Sequence, residues 1–305
     1  MKIQSWKRAI TQGTIVLFLL TSFEVSANRD LVEQLSDSGF NIRPPTNWVE
    51  GTIGQFSVRR AECTNFSGAD LRQRIVDIAQ NEWVFFGSKE YQVQAAADES
   101  LPWEERRQRR PRLNMEESVR AAQTIAGYWS TTGEGAWIIE RQNEQWEEEG
   151  LDARWQDAWS AAFISWVMCE AGIDNSAEFR HAIAHHSYID QAIRARDGVD
   201  PHALYTAYDS GEAEVALGDL LCTGTRPVYA DLEARRAQIG EGARTHCDIV
   251  VKIDSEMNTV DTIGGNVQSA VTLKTLWVTA EGRILSPVER DGRPVFAHLK
   301  LRTDD

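Results

Sequence analysis

The sequence predicts an α+β fold in which helices pack on an antiparallel sheet. Between Asp70 and Arg196, apolar residues recur mainly at the spacing of amphipathic helices, as in the stripe from Trp159 to Val167. After Gly211, short runs rich in β-branched residues replace that spacing. Helices followed by strands, rather than alternating with them, are typical of this fold class.

Four helices are expected, and two of them carry recognisable start signals. Asp157 is the expected N-cap of the third helix, which Gly172 ends, and Ser187 with Asp190 forms a capping box for the fourth. The helices are expected near residues 71–86, 119–129, 159–167 and 187–196. The strands are expected at residues 215–222, 248–253, 259–263, 271–278 and 295–301.

Composition and charge exclude several classes of function. The 305 residues carry a formal net charge of -14, with 26% charged and 42% apolar residues, which is typical of a globular protein. A sequence pI near 5.0 argues against general binding to nucleic acid or to an anionic membrane surface, since both require basic faces. The length suits one large domain with a substantial core.

The first 27 residues are expected to be a secretory signal peptide. Three basic residues precede an apolar run that ends at Leu20, and small residues favour cleavage after Ala27. Removing three positive charges and Glu24 from -14 leaves -16. An uncleaved N-terminal anchor is the alternative. We expect a lead-in at 28–68, a single domain at 69–305, no membrane span after cleavage, and a periplasmic or secreted location.

Ser160 is the predicted nucleophile. It lies in the first turn of the third predicted helix, where free N–H groups and the helix dipole stabilise a developing anion. Serine is also common near helix starts, so its position alone does not identify a catalytic group.

His246 and Asn266 are the predicted partners of Ser160. His246 lies at the mouth of a hydrophobic strand, where an imidazole can act as general base, and period-two geometry puts Asp248 on the same face. The amide of Asn266, after two glycines, can orient an imidazole. The plainer alternatives are a structural histidine and a simple β-turn.

In this order, the segments resemble the papain-like cell-wall hydrolases of the CHAP and NlpC types. The match covers residues 155–280, which makes it more specific than any single motif. The matching segments are Trp159-Ser160-Ala161-Ala162-Phe163, Gly218-Asp219-Leu220, His246-Cys247-Asp248-Ile249-Val250 and Gly264-Gly265-Asn266. The chain beyond residue 27 also resembles the bacterial family called domain of unknown function 2272, through the runs 159–167 and 246–251.

The resemblance implies a papain-like domain with an N-terminal helical extension. It also implies cleavage of an amide bond in peptidoglycan or in another cell-envelope polymer. Ser160 would attack, His246 would act as base and then acid, and Asn266 would orient His246. No metal or cofactor is expected. The residues expected to bind substrate are Trp159, His186, Tyr188, Asp248 and Gly265.

Ser160 departs from the pattern of these hydrolases, whose nucleophile is cysteine. A hydroxyl, unlike a thiol, does not ionise near neutral pH and must lose its proton to a base during attack. The alternative is therefore a non-catalytic peptidoglycan-binding module that lost the thiol. A third hypothesis is an interaction protein that recruits its partner through the acidic face at residues 144–149.

The resemblance also implies a disulfide between Cys222 and Cys247, because the corresponding strands are neighbours in these folds. Cys63 and Cys169 are left as a second bridge or as free thiols.

Two further patterns suggest ligand sites. His181 and His185 share a helix face and can bind zinc, although a metal role is the weaker interpretation. The basic run 106–112 can face an anionic polymer, and Trp103, Trp146 and Trp155 can line a sugar groove.

Overall fold

A computed structural model describes residues 42–59, 62–66, 70–91, 114–150, 154–285 and 294–302. The expected signal peptide, the basic run 106–112 and Trp103 lie outside these residues. No helix in the described part of the chain is long and apolar enough to cross a membrane.

Six α-helices lie in the described ranges. Two of them, the third and the last, are not predicted from the sequence. The third carries the acidic face at residues 144–149. Their bounds are α1 (Leu71–Phe85), α2 (Met115–Trp129), α3 (Gly135–Glu149), α4 (Ser160–Glu170), α5 (His186–Arg196) and α6 (Leu232–Arg236).

A seven-stranded mixed sheet forms the second layer, with strand order β3-β8-β7-β6-β5-β9-β4. All neighbouring strands are antiparallel except β3, which pairs parallel to β8. The predicted α+β class is therefore confirmed, but the sheet is mixed rather than antiparallel throughout, because β3 adds to its edge in the parallel direction. The strands are β3 (Lys89–Tyr91), β4 (Tyr205–Tyr208), β5 (Leu220–Arg226), β6 (Arg244–Asp254), β7 (Thr259–Val267), β8 (Ala270–Trp277) and β9 (Val295–Leu301), and a separate ribbon pairs β1 (Val49–Glu50) with β2 (Ser57–Val58).

Helix α4 is the centre of the core, and all eleven of its residues are buried. A helix that is apolar on every side needs partners all round. Helices α1 and α2 pack against it on one side and strands β6 and β7 on the other. The Tyr128 ring lies within 5.7 Å of the ring centroids of Trp159, Phe163 and Trp166. This packing fixes the first residue of α4, Ser160, against the sheet.

The described part of the predicted lead-in packs onto α4. A short 3-10 helix at Pro45–Trp48 precedes β1, and a disulfide joins Cys63 to Cys169 near the end of α4. The buried Glu170 carboxylate accepts hydrogen bonds from Arg43 and Thr64. This segment is therefore part of the folded unit.

Both predicted N-caps are wrong. Helix α4 follows Trp159 without a side-chain cap, because the Asp157 carboxylate is bound by the Arg141 guanidinium instead. Helix α5 begins at His186 without a capping box, since Asp190 is held 2.7 Å from buried Arg235. The predicted end of α4 is confirmed, because Gly172 has a φ of 102° just beyond the helix.

Candidate functional site

An open cleft of about 710 Å³ lies where the start of α4 meets strands β5, β6 and β7. All three predicted catalytic residues, Ser160, His246 and Asn266, line this cleft. Its principal polar lining residues are Asp157, Ser160, His185, Thr223, Arg244, His246, Asn266, Gln268 and Lys274.

Ser160 is hydrogen-bonded to a histidine other than the predicted one. Its Oγ lies 2.6 Å from Nε2 of His185, whose Nδ1 is hydrogen-bonded to the Tyr188 hydroxyl. His185 is the N-cap residue of α5, so its backbone is fixed by the helix that also carries Tyr188. The three side chains form a continuous chain, Ser160–His185–Tyr188, that ends in the cleft.

Burial sets the protonation of this chain. Desolvation lowers the pKa of His185 well below its ordinary value, and the neighbouring His246 lowers it further. Desolvation also raises the pKa of Tyr188 well above its ordinary value, with the Asp248 charge acting in the same direction. His185 is therefore neutral and Tyr188 keeps its hydroxyl proton at neutral pH.

His246 belongs to a second cluster, next to the first. Its Nε2 lies 2.9 Å from Asp248 Oδ1, and Lys274 Nζ lies 2.7 Å from Asp248 Oδ2. Burial by itself raises the pKa of Asp248, but Lys274 and His246 outweigh it and hold that pKa well below its usual range. The His246 ring lies 5.2 Å, between centroids, from that of His185.

Asp248, rather than Asn266, is the residue bonded to His246. Asn266 lines the cleft, but no hydrogen bond joins it to His246 in the described structure. Gly264 lies directly against the Asp248–His246 pair: a Cβ placed on it would lie 1.7 Å from Asp248 Oδ1 and 2.9 Å from His246 Nε2. The first glycine thus makes room for the carboxylate that takes the orienting position.

The second glycine has a similar role on the other side. A Cβ on Gly265 would lie 2.7 Å from that of Phe163 in α4, so Gly265 lets β7 approach the helix closely. Both glycines lie within strand β7, and neither forms a simple turn. Gly265 thus shapes the site from behind.

The remaining predicted substrate-binding residues have structural positions. Trp159 is 1% exposed, with its ring stacked 5.7 Å from Phe86. His186 contacts the backbone oxygen of Ala243, a residue of the cleft wall. Tyr188 is buried and reaches the cleft only through His185.

The predicted disulfide is confirmed and lies beside the second cluster. Cys222 and Cys247 are directly opposite each other on β5 and β6 and are bonded. With Cys63–Cys169, all four cysteines are paired. The two ring nitrogens of His181 lie within hydrogen-bond distance of the backbone oxygens of Ser165 and Ile173. Among the residues described, no cluster of metal-binding side chains occurs.

Two residues of the site were missed from the sequence. The sequence suggests His185 only as a zinc ligand. The predicted substrate-binding roles of His186 and Tyr188 are the one signal that points to a position of His185 near the cleft. Lys274 carried no signal, because it lies in an ordinary strand pattern. Both contacts depend on how distant elements pack.

Comparison with known proteins identifies the family without supplying an activity. No curated protein and no solved structure matches the chain. Residues 116–301 match the family described as an uncharacterized protein conserved in bacteria, DUF2272. This match spans more than half of the sequence and includes both histidine clusters and the cleft. The chain therefore belongs to the DUF2272 family.

Proposed function

We propose that the protein is an exported hydrolase that cleaves an amide or related acyl bond of peptidoglycan, with Ser160 as the nucleophile. The observation that carries this proposal is the 2.6 Å contact between Ser160 Oγ and His185 Nε2 on the wall of an open cleft. A nucleophile, an adjacent imidazole and a third group on that imidazole are the arrangement of covalent hydrolases. Motif order supports a papain-like fold, and two disulfides are compatible with export.

The chemistry follows from one tautomer of His185. If Nδ1–H donates to the Tyr188 oxygen, Nε2 presents a lone pair to the Ser160 hydroxyl. His185 accepts the serine proton as Oγ attacks the acyl carbon, and then gives it to the leaving amine. Water hydrolyses the resulting acyl-enzyme by the reverse use of the same groups. We assign His185 as the base because it, and not His246, contacts Ser160.

The other groups of the cleft support charge development. Helix α4 begins at Ser160, so the N–H groups of its first turn have no acceptor within the helix. They are suited to bind the oxyanion of the tetrahedral intermediate. Asp248 occupies Nε2 of His246, so the Nδ1 atom of His246 remains to contact substrate.

A non-catalytic binding module is the second candidate. It is favoured if the two hydrogen bonds of His185 run in the opposite direction. In the other tautomer, the Tyr188 hydroxyl donates to His185 Nδ1, and Nε2–H donates to Ser160. This arrangement satisfies a buried hydroxyl donor, whose loss costs about 1–3 kcal/mol, but it leaves Ser160 without a base. The cleft would then bind peptidoglycan without cleaving it.

Product analysis on purified peptidoglycan separates the candidates. The wild type, Ser160→Ala and Ser160→Cys are incubated with the polymer, and released fragments are identified by mass spectrometry. The hydrolase proposal expects cleavage by the wild type and a loss of at least about 1,000-fold in Ser160→Ala. An inactive wild type with an active Ser160→Cys would instead support a binding module that lost its thiol. Inactivity of all three would exclude catalysis on this polymer.

The choice of base is tested by a matched pair of variants. His185→Gln should lower cleavage by about 100- to 10,000-fold through loss of general base catalysis. His246→Gln should act mainly on KM, since His246 is assigned to substrate contact. A larger fall of kcat in His246→Gln than in His185→Gln would move the base to His246.

A further inference from the structure

Two arginines face each other where β5 and β6 reach the cleft. Arg226 and Arg244 are partners in the strand register, just beyond a register shift between Gly224 and Arg226. Arg226 does not itself line the cleft and lies opposite Arg244, which does. Directly opposed residues share a face of the sheet with their Cβ atoms roughly 5 Å apart, and like charges in that position repel. Thr223 and His246, the partners two positions along β6, both line the cleft, as does Arg244 itself.

Neither guanidinium has a carboxylate partner within the described ranges. Elsewhere in the same protein, exposed arginines do find one: Arg196 binds Glu212 and Arg236 binds Asp197. An opposed, uncompensated pair is unexpected in a chain whose net charge is -14. It leaves a local positive site next to the cleft.

The other charges of the cleft are already compensated. Lys274 is ion-paired with Asp248, and Asp157 is bound by Arg141. The cleft is therefore electropositive at the end of β6 that carries Arg244. Arg244 and His246 are two residues apart on β6, so their Cα atoms are about 7 Å apart.

We infer that Arg226 and Arg244 form an anion subsite that binds a carboxylate of the ligand in the cleft. This inference rests on the proposed function for the identity of the ligand, since peptidoglycan stem peptides carry free carboxylates. Planar guanidinium groups match a carboxylate with paired hydrogen bonds, and a bound anion removes their mutual repulsion. The pair selects ligands that place a carboxylate several bonds from the acyl group next to Ser160.

Binding in a cleavage-deficient background tests the subsite independently of catalysis. Soluble peptidoglycan fragments with free carboxylates, and the same fragments with those carboxylates converted to amides, are titrated into Ser160→Ala by calorimetry. Free fragments should bind at least about tenfold more tightly. Adding Arg226→Gln and Arg244→Gln should weaken binding of free fragments roughly 10- to 100-fold and leave that of amidated fragments unchanged.

The control is Arg59→Gln in the same background, which removes one positive charge, as each of the two arginine substitutions does, from an exposed position that does not line the cleft. Thermal unfolding of the ligand-free double variant should show no loss of stability at low salt, because a repulsion has been removed. Equal binding of free and amidated fragments, an equal effect of Arg59→Gln, or no binding of either fragment overturns the inference. Failure of the proposed function appears separately, as an absence of cleavage by the wild type.

Discussion

Two clusters, each made of an aspartate, a histidine and a basic side chain, lie against the main sheet and differ in their access to solvent. In the cleft cluster, Asp248 joins His246 to Lys274. In the sealed cluster, Asp219 joins His298 to Arg72, and both the aspartate and the histidine are completely buried. Asp219 also accepts hydrogen bonds from the backbone N–H groups of Leu301 and Ala216.

The difference shows why a histidine–carboxylate pair does not by itself mark a site. The sealed cluster ties α1, β5 and β9 together, and its aspartate and histidine have no exposed surface. The cleft cluster satisfies its carboxylate with fewer bonds and leaves the edge of its imidazole, 17% exposed, on an open wall. Access, rather than the identity of the residues, separates a structural from a functional role.

The largest expected effect comes from breaking the sealed cluster. Asp219→Asn should lower the free energy of unfolding by about 3–5 kcal/mol, because it removes a buried carboxylate that binds His298, Arg72 and two backbone N–H groups. The pKa of Asp219 is lowered, since its partners outweigh the effect of burial. The lost stability is therefore stability that the wild type has above the unfolded pKa near 4 and loses on acidification.

The matched change in the cleft cluster is Asp248→Asn. It should cost less stability, about 1–3 kcal/mol, because Asp248 accepts two hydrogen bonds where Asp219 accepts four, and because both of its partners line the open cleft. Binding of soluble peptidoglycan fragments should weaken more in Asp248→Asn than in Asp219→Asn, when the two are compared at an equal fraction of folded protein. Chemical denaturation from pH 3 to 8, with calorimetric binding, measures both. Equal effects of the two variants on binding would remove the distinction between the clusters.

A third buried carboxyl sharpens the comparison, because no cation is paired with it among the residues that the structure describes. Burial raises the pKa of Glu82 to about 7, although its hydrogen bond to Tyr128 opposes the shift. Since the folded-state pKa exceeds the unfolded value near 4.5, this group costs stability as pH rises from about 4.5 to 7, by about 3 kcal/mol in total. This sign is opposite to that of Asp219.

Glu82→Gln should therefore stabilise the protein relative to wild type by about 2–3 kcal/mol more at pH 8 than at pH 5. Unfolding in denaturant at the two pH values measures the difference. The exposed Glu116→Gln is the control, with little effect expected at either pH. A Glu82→Gln advantage that does not change with pH would show that Glu82 is ionised in the folded state.

The last variant tests how closely the cleft cluster is packed. Gly264→Ala should cost about 1–3 kcal/mol, because its Cβ overlaps Asp248 Oδ1 and must displace the carboxylate from His246. Gly242→Ala, which has open space around the new Cβ, is the matched control. Asp219 and its partners should be unaffected, so the acid sensitivity of unfolding should remain. An unchanged stability of Gly264→Ala would mean that the His246–Asp248 contact is loosely held.

Local patterns predicted much of the fold and less of the site. The strand at Val295–Leu301 has the predicted bounds, and the Cys222–Cys247 pair, which the family resemblance implies, is formed. The cap prediction at Asp190 fails because Arg235, forty-five residues away, provides a stronger partner for that carboxylate. Capping signals are local, whereas burial of an arginine is decided by tertiary packing.

The same limit applies to the candidate site. Ser160 was placed correctly at a helix start, since the apolar stripe after it is a local signal. Its contact with His185 requires α5 to pack against the start of α4, and no periodicity reports that. The order of the motifs favours Asn266 as the residue that orients His246. The space that Gly264 leaves for the Asp248 carboxylate is visible only in the folded structure.

The complete pairing of the cysteines has a consequence for how the protein tolerates its surroundings. With both disulfides formed and an oxygen nucleophile at Ser160, the site contains no group that peroxide or a mixed disulfide would convert to an inactive form. A cysteine at that position would lie in a chain with two disulfides open to exchange. The proposed enzyme would thus keep a constant nucleophile across the redox conditions outside the cytosol, where a thiol would need continual reduction.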